Sequence, residues 1–167
     1  MSHIQSFPPI SDSHASVLIL GSIPGKISLR AGQYYAHPRN AFWRIMSHLL
    51  NWEPGLDYEE KCAALIAHRI ALWDVLAACT RSSSLDSDII ESSIIPNDFV
   101  SFFDRHPAIR AVYFNGAKAE SSYLKHVRPQ LPVGASGLPV LRLPSTSPAH
   151  AAMSFQTKLD HWRVIPD

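Results

Sequence analysis

Two short stretches hold most of the side chains in this 167-residue chain that could handle a ligand. The first is Gly21-Ser22-Ile23-Pro24-Gly25, directly after the apolar run Val17-Leu18-Ile19-Leu20, and the second is Gly32-Gln33-Tyr34-Tyr35-Ala36-His37-Pro38-Arg39-Asn40-Ala41-Phe42-Trp43. A glycine-rich turn after an apolar strand, followed by a polar and aromatic loop that opens a helix, is how an open α/β sheet builds a ligand site. In the second stretch Tyr34, Tyr35, His37, Arg39 and Asn40 set planar rings beside hydrogen-bonding groups, which suits a flat heteroaromatic ligand. Phe42 and Trp43 serve most simply as core residues at the start of the helix. Asn40 fits two roles, ligand contact and helix N-cap.

Several familiar chemistries fail on spacing. A phosphate loop needs four residues between its glycines and Ser or Thr after the lysine, whereas three separate Gly21 from Gly25, and Ile27 follows Lys26. His37, His106, His126, His150 and His161 are widely separated and form no close ligand pair, so no metal is expected. There is no G-x-S-x-G elbow for a serine hydrolase, and Ser22 and Ser147 lie in proline-bearing loops. Cys62 and Cys79 are too few for a four-thiolate site and read as reduced thiols. No cofactor is expected.

The elements that must hold the site follow from apolar periodicity. Strands are expected at residues 16–20, 70–73, 111–114 and 139–143, alternating with helical patterns, as in βαβ units. Phe42, Ile45, Met46, Leu49 and Leu50 recur at helical spacing, and Asp57 with Glu60 resembles a capping box for a helix reaching about Ala67. Phe99, Phe102 and Phe103 line one face of a third helix. Gly116 opens a fourth to about Val127, and residues 151–163 form a fifth with Met153, Leu159 and Trp162 inward. The fold class is α/β: a single-domain three-layer α/β/α sandwich over residues 1–167, with a four-stranded, mainly parallel sheet and residues 1–14 as an N-terminal extension. Ligand loops then gather at the carboxyl ends of the strands: residues 21–25, 74–86, 115–116 and 143–150.

Composition limits what this site can serve. With 46% hydrophobic and 17% charged residues, the chain can bury one sizeable core. A net charge of +1, from 15 Lys+Arg against 14 Asp+Glu, excludes a strongly basic nucleic-acid coat but permits a local patch. No basic leader precedes an apolar segment and no window approaches a membrane span, so a reducing, cytoplasmic location without membrane contact is expected.

The Gly21–Gly25 turn, the block from Gly32 to Trp43, and Leu143-Pro144-Ser145-Thr146-Ser147-Pro148-Ala149 together resemble the two signature regions of the uracil-DNA glycosylase superfamily, in its hypoxanthine-DNA glycosylase (DNA-deoxyinosine glycosylase) branch. Ala71-Leu72-Trp73-Asp74-Val75-Leu76, Ser84-Leu85-Asp86-Ser87-Asp88-Ile89 and Phe114-Asn115-Gly116 also fit, so the similarity spans about residues 16–152. It implies a monofunctional enzyme of base-excision repair that hydrolyses the bond joining a deaminated base (hypoxanthine, uracil or xanthine) to deoxyribose. Its partners would be damaged DNA and downstream abasic-site enzymes, and it would act as a monomer. Mismatch-specific relatives carry asparagine where this chain has Ile23. In the hypoxanthine branch the role is associated with the asparagine of the His-Pro-Arg-Asn segment, here Asn40.

Breaking an N-glycosidic bond builds oxocarbenium character on the sugar and negative charge on the departing base. Asn40, with one acceptor oxygen and two donor hydrogens, can orient water or donate to the base. The base must leave the stack and enter a pocket that reads its edge and stacks on its face. Gly21, Ser22, Ile23 and Pro24 line that pocket in this reading, and Tyr34 or Tyr35, with Phe42, supplies the face. Asp74 stands where the superfamily often has a base-reading asparagine; Asp74 and Asn115 are each candidates for edge reading, and each also fits as a turn residue. Ser145, Thr146, Ser147, Pro148 and His150 grip the DNA backbone, with Arg39, Arg81 and Arg142 nearest the groove. Lys26 keeps a Schiff-base route formally open. The rival reading is a non-catalytic nucleotide- or nucleic-acid-binding α/β module.

Overall fold

The computed structural model describes residues 2–166; Met1 and Asp167, the ends of the expected domain, lie outside the described residues. In chain order the elements are β1 (Ser2–Gln5), β2 (Val17–Gly21), α1 (Lys26–Ala31), α2 (Phe42–Leu50), α3 (Tyr58–Ala67), β3 (Ile70–Asp74), β4 (Leu76–Arg81) and β5 (Ile95–Pro96). They continue as α4 (Phe99–Arg105), β6 (Ala111–Asn115), α5 (Ala117–Ser122), α6 (Val133–Ser136), β7 (Val140–Leu143) and α7 (Phe155–Trp162). The four expected apolar runs pair in the order β3-β2-β6-β7, parallel throughout.

Alternation along β2 divides the core into two halves. Leu18 and Leu20 face a cluster completed by Trp73, Val112, Phe114 and the α4 residues Phe99, Phe102 and Phe103. Val17 and Ile19 face the opposite cluster, built on Phe42, Ile45 and Met46 of α2, Leu65 of α3, and Leu159 and Trp162 of α7. A strand apolar on both faces needs helices on both sides, and the result is a three-layer sandwich.

Local sequence starts these helices where the side chains offer caps. Asp57 accepts from the Glu60 N–H (2.8 Å) while Glu60 returns the bond to Asp57 (3.2 Å), a reciprocal capping box. The last helix begins at Phe155, later than expected, because Ser154 Oγ accepts from the Thr157 N–H and caps it there. Leu159 and Trp162 are buried, and Met153 is half-buried in the preceding turn. The helix opened by Gly116 does reach Val127, but its second half, Tyr123–Val127, is π-helical.

Two features depart from expectation. Residues 74–86 are not a loop throughout: Leu76–Arg81 is a strand in a second sheet, ordered β1-β4-β5 and antiparallel. The expected N-terminal extension supplies its outer strand, with Ile4 opposite Cys79, and Ile10 bridges to Leu72. Cys79 is buried, Cys62 is half-buried, and both are free thiols. Among the described residues, no helix is long and apolar enough to cross a membrane.

Candidate active site

Parallel pairing in register brings the site together. Gly21, the last residue of β2, stands opposite Asp74, the last of β3, while Asn115 and Leu143 end β6 and β7 side by side. The loops leaving these ends enclose a cleft of about 510 Å³. Gly21, Ser22, Ile23, Pro24, Tyr34, Tyr35, Asn40, Asp74, Asn115, Ser145, Thr146, Ser147 and His150 all line it.

The first wall is the turn after β2. The Gly21 and Ser22 carbonyls accept from the N–H groups of Val75 and Leu76 (2.8 and 3.1 Å), which fastens the turn to the chain leaving β3. Ser22 Oγ donates to Asp86 Oδ1 (2.7 Å), and the Lys26 N–H donates to Ser84 Oγ (3.0 Å). Behind the turn lies Arg81, 1% exposed, donating through Nη2 to the Pro24 carbonyl (2.7 Å). Its Nε and Nη1 have no hydrogen-bond partner among the described residues. Arg81 was expected at the groove surface; β4 instead carries it into the interior as an electrostatic prop. Ile23 is 8% exposed and packs into the first core cluster, so an aliphatic side chain occupies this part of the wall.

The aromatic loop is the second wall, and its two tyrosines differ. Tyr34 is anchored on three sides: its hydroxyl donates to the Pro8 carbonyl (2.8 Å), its N–H donates to Tyr58 Oη (3.0 Å), and its carbonyl accepts from Trp43 Nε1 (2.8 Å). Tyr35 adopts a left-handed backbone (φ 55°), a strained choice for a bulky residue. Its ring stacks on Phe42, centroids 4.3 Å apart. Phe42 was expected to face the ligand; it is completely buried behind Tyr35 and does not line the cleft, because α2 turns its apolar face to the core.

Asn40 and the loop after β7 close the third side. The Ala41 N–H donates to the Thr146 carbonyl (3.0 Å), which ties the two signature segments together. Asn40 Oδ1 accepts from the Phe42 N–H (2.9 Å), an Asx turn one residue ahead of Ala41, the N-cap of α2, and Asn40 still lines the cleft. Asn115 holds Thr146 with a reciprocal pair, Nδ2 donating to Thr146 Oγ1 and Oδ1 accepting from the Thr146 N–H, each 2.9 Å. One donor hydrogen of Asn115 remains. Gly116 (φ 95°) lets Ser145 lie against the backbone, since a Cβ there would come within 3.2 Å of Ser145 Cβ.

At the floor, Asp74 is 3% exposed and its Oδ2 has no hydrogen-bond partner among the described residues. Burial, helped by the neighbouring Asp86 carboxylate and opposed by Arg81, pushes its carboxyl from 3.8 up to about 7. Burial and the charge of Asp74 likewise raise the Tyr35 phenol, which therefore stays protonated. Arg39 is exposed and, with Pro148, lies outside the cleft lining; Arg142 pairs with Glu120 (3.5 Å) on the surface. Lys26 and His37 line the cleft, and Lys26 is exposed. The Ser84-Leu85-Asp86-Ser87 segment also lines it, at the edge where the topology placed the loop up to residue 86, although none of the four was singled out as a site residue. Among the described residues no group of three or more His, Cys, Asp or Glu is placed to hold a metal ion.

The family model of the uracil DNA glycosylase superfamily matches residues 8–165. A hypoxanthine DNA glycosylase of Methanosarcina barkeri (strain Fusaro / DSM 804) is 39% identical over 116 residues, covering 69% of this chain and 72% of the relative. A hypoxanthine DNA glycosylase of Methanosarcina acetivorans is 35% identical over 162 residues, 96% of each chain. The solution NMR structure of a candidate uracil DNA glycosylase from Methanosarcina acetivorans superposes with a TM-score of 0.81 at 34% identity, covering 98% of this chain and 96% of that one.

Proposed function

The chain belongs to the uracil DNA glycosylase superfamily and is a DNA glycosylase for deaminated bases; from that membership we propose that hypoxanthine in DNA is its principal substrate. Uracil and xanthine share the same imide or lactam chemistry and are the further candidates. The reading treats the chain as one catalytic domain that works as a monomer in the cytoplasm, in base-excision repair, and leaves its abasic product to downstream enzymes.

The damaged nucleotide rotates out of the duplex and its base enters the cleft, at a cost of a few kcal/mol that is smallest for a poorly paired base. Asn40 orients water toward the sugar carbon as the glycosidic bond stretches. Its Oδ1 is partly engaged by the Phe42 N–H, which fixes the amide plane and leaves the second oxygen lone pair and the two N–H donors for water or base. No carboxylate nucleophile is required, because the leaving base carries away charge that donors in the cleft can stabilise. Ser145 and Ser147 hold the backbone through their hydroxyls, over a Thr146 that is buried and fastened by Asn115, with Arg39 and His150 outside them.

The observation that carries this reading is the tie between Ala41 and Thr146. It places Asn40 and the 145–147 loop on the same cleft, so one bound nucleotide can meet both. The test is incubation with duplexes containing deoxyinosine, deoxyuridine or deoxyxanthosine, followed by alkaline cleavage at abasic sites. Alkali-dependent breaks at deoxyinosine are expected; no abasic product from any of the three would leave the rival, a binding module without turnover. Strand breaks that need no alkali would overturn the monofunctional assignment and direct attention to Lys26.

A further inference from the structure

Asp86 brings to the cleft a charge that neither the fold nor the steps above use. Its segment holds a second acid, Asp88, which is taken up by the loop itself, accepting from Ser83 Oγ. The Asp86 side chain instead leaves the loop. Its Oδ1 accepts from Ser22 Oγ (2.7 Å), across to the glycine-rich turn after β2, and this bond fixes the plane of the carboxylate. The two segments are fastened on either side of that bond as well: Ser84 Oγ accepts from the Lys26 N–H (3.0 Å), and Arg81 Nη2 donates to the Pro24 carbonyl (2.7 Å). Asp86 is thus a placed group and not a loose surface acid. Removal from bulk water raises its carboxyl, and three groups oppose the rise in favour of the anion: the Ser22 hydroxyl, Arg81 and Lys118.

Depth assigns the two carboxylates of the cleft to different parts of a bound nucleotide. Asp74 is 3% exposed at the floor, whereas Asp86 is exposed and Asn40 half-buried, nearer the mouth. An extruded base goes deepest, because its sugar stays joined to the backbone outside. The sugar then lies at the level of Asn40 and Asp86. A carboxylate at this level opposes the phosphates of DNA, and a chain with a net charge of +1 has little general attraction to offset it. Only a positive charge on the ligand turns that repulsion into attraction, and the sugar carries none until the glycosidic bond begins to break. The turn cannot supply the anion itself, since its central residue, Ile23, packs into the first core cluster.

We propose that Asp86, oriented by Ser22, is a second catalytic residue that stabilises the positive charge on the sugar as the base departs. This inference rests on the glycosylase reading and adds to it the group that meets the oxocarbenium character. The glycosidic C–N bond breaks with its electron pair going to the base, while water gives its oxygen to the sugar carbon and a proton to the base. Asp86 forms no bond in this sequence and is unchanged at its end. Asn40 places the water, and Asp86 supplies a fixed negative charge that acts more strongly on the transition state than on the neutral sugar.

The test reads charge recognition separately from turnover. Duplexes carrying a pyrrolidine abasic analogue, whose ring nitrogen replaces the anomeric carbon and is protonated at neutral pH, are compared with duplexes carrying tetrahydrofuran, its neutral counterpart. The wild-type protein should bind the cationic duplex about 30-fold more tightly than the neutral one. Asp86→Asn should cut this ratio about 10-fold, and Ser22→Ala, which frees the carboxylate, roughly 3- to 5-fold. A general loss of DNA affinity cancels in the ratio, so a merely structural role leaves it unmoved. A fall of at least threefold in Asp86→Asn supports the proposal; a smaller fall, or an equal fall in Asp74→Asn, overturns it. If Asp86→Asn does not fold, judged by circular dichroism, Ser22→Ala decides at the same threshold. Single-turnover release of hypoxanthine from deoxyinosine is measured alongside and should be slowed about 100-fold by Asp86→Asn. No release by the wild type from any deaminated base defeats the enzyme reading, whereas an active wild type with an unchanged ratio in the variants defeats only the role of Asp86.

Discussion

Replacing Asp74 with asparagine should make the protein more stable at pH 8 and leave it no more stable at pH 4. In the folded protein the Asp74 carboxyl holds its proton until about pH 7, against a starting value of 3.8. An unfolded chain surrenders that proton near pH 3.9. Between these values the native state binds one more proton than the unfolded state, so stability falls as pH rises from about 4 to about 7 and stays low above that. About three units at 1.36 kcal/mol each amounts to about 4 kcal/mol, an order-of-magnitude figure. Asp74 is 3% exposed, so solvent screens little of it. Asparagine carries no charge to desolvate, but its new N–H groups need partners and cost about 1–2 kcal/mol. The net gain at pH 8 is then about 2–3 kcal/mol, or roughly 5–10 °C in Tm for a chain of this length. Thermal and urea unfolding of both proteins at half-unit intervals from pH 4 to 8.5 measures the difference. A difference that does not grow with pH would show that Asp74 titrates normally, and the reasoning would fail.

Three further substitutions probe separate parts of the cleft. Asn40→Ala should lower single-turnover base release by about 100-fold or more, the usual cost of removing an oriented transition-state contact, while losing only about 1 kcal/mol of stability with the bond to the Phe42 N–H; activity within tenfold of wild type would reduce Asn40 to a turn residue. Gly21→Ala drives a Cβ to 2.6 Å from both Tyr35 Oη and Asp74 Oδ1, so the protein should fold with reduced stability and release hypoxanthine more slowly; wild-type stability and rate would mean that the floor does not depend on this space. Asn115→Ala leaves the Thr146 N–H and hydroxyl unpaired, and should cost about 2–3 kcal/mol in urea unfolding and weaken DNA affinity in titrations of a labelled duplex; wild-type affinity would remove residues 145–147 from the DNA contact.

Much of the architecture could be read from the order of residues, because the central strands are apolar on both faces. Val17-Leu18-Ile19-Leu20 and Ile70-Ala71-Leu72-Trp73 have no polar face to turn toward water, and a parallel sheet covered on both sides is the arrangement that suits them. Placing the ligand loops followed from that topology. β4 was not legible in the same way. Leu76-Ala77-Ala78-Cys79-Thr80-Arg81 has weak alternation, and its partner β1 lies more than 70 residues earlier, so the pairing is set by tertiary contact and not by local pattern. The burial of Arg81 follows from that strand and was hidden with it. Tyr35 and Phe42 were both legible as aromatic, but which of them lines the cleft depends on a left-handed backbone at Tyr35 that residue type argues against.

Local costs gather around one cleft. Tyr35 occupies a backbone region its side chain disfavours, Asp74 is held in surroundings that oppose its charge, and Arg81 is buried with two nitrogens that have no hydrogen-bond partner among the described residues. Each is of order 1–4 kcal/mol, and together they rival the whole net stability of an ordinary domain. The twin cores on either face of the sheet offset them. A chain selected for stability alone would have discarded these features first, since asparagine at position 74 keeps the shape of aspartate without the charge that its surroundings oppose. Their concentration where Gly21 meets Asp74 fits a floor kept polar and incomplete for a ligand that supplies the missing hydrogen bonds. The same reasoning says that stabilising substitutions at this floor and base release must pull against each other. Asp74→Asn is the substitution in which both effects can be read from one protein: higher Tm at pH 8, and slower release of hypoxanthine from DNA.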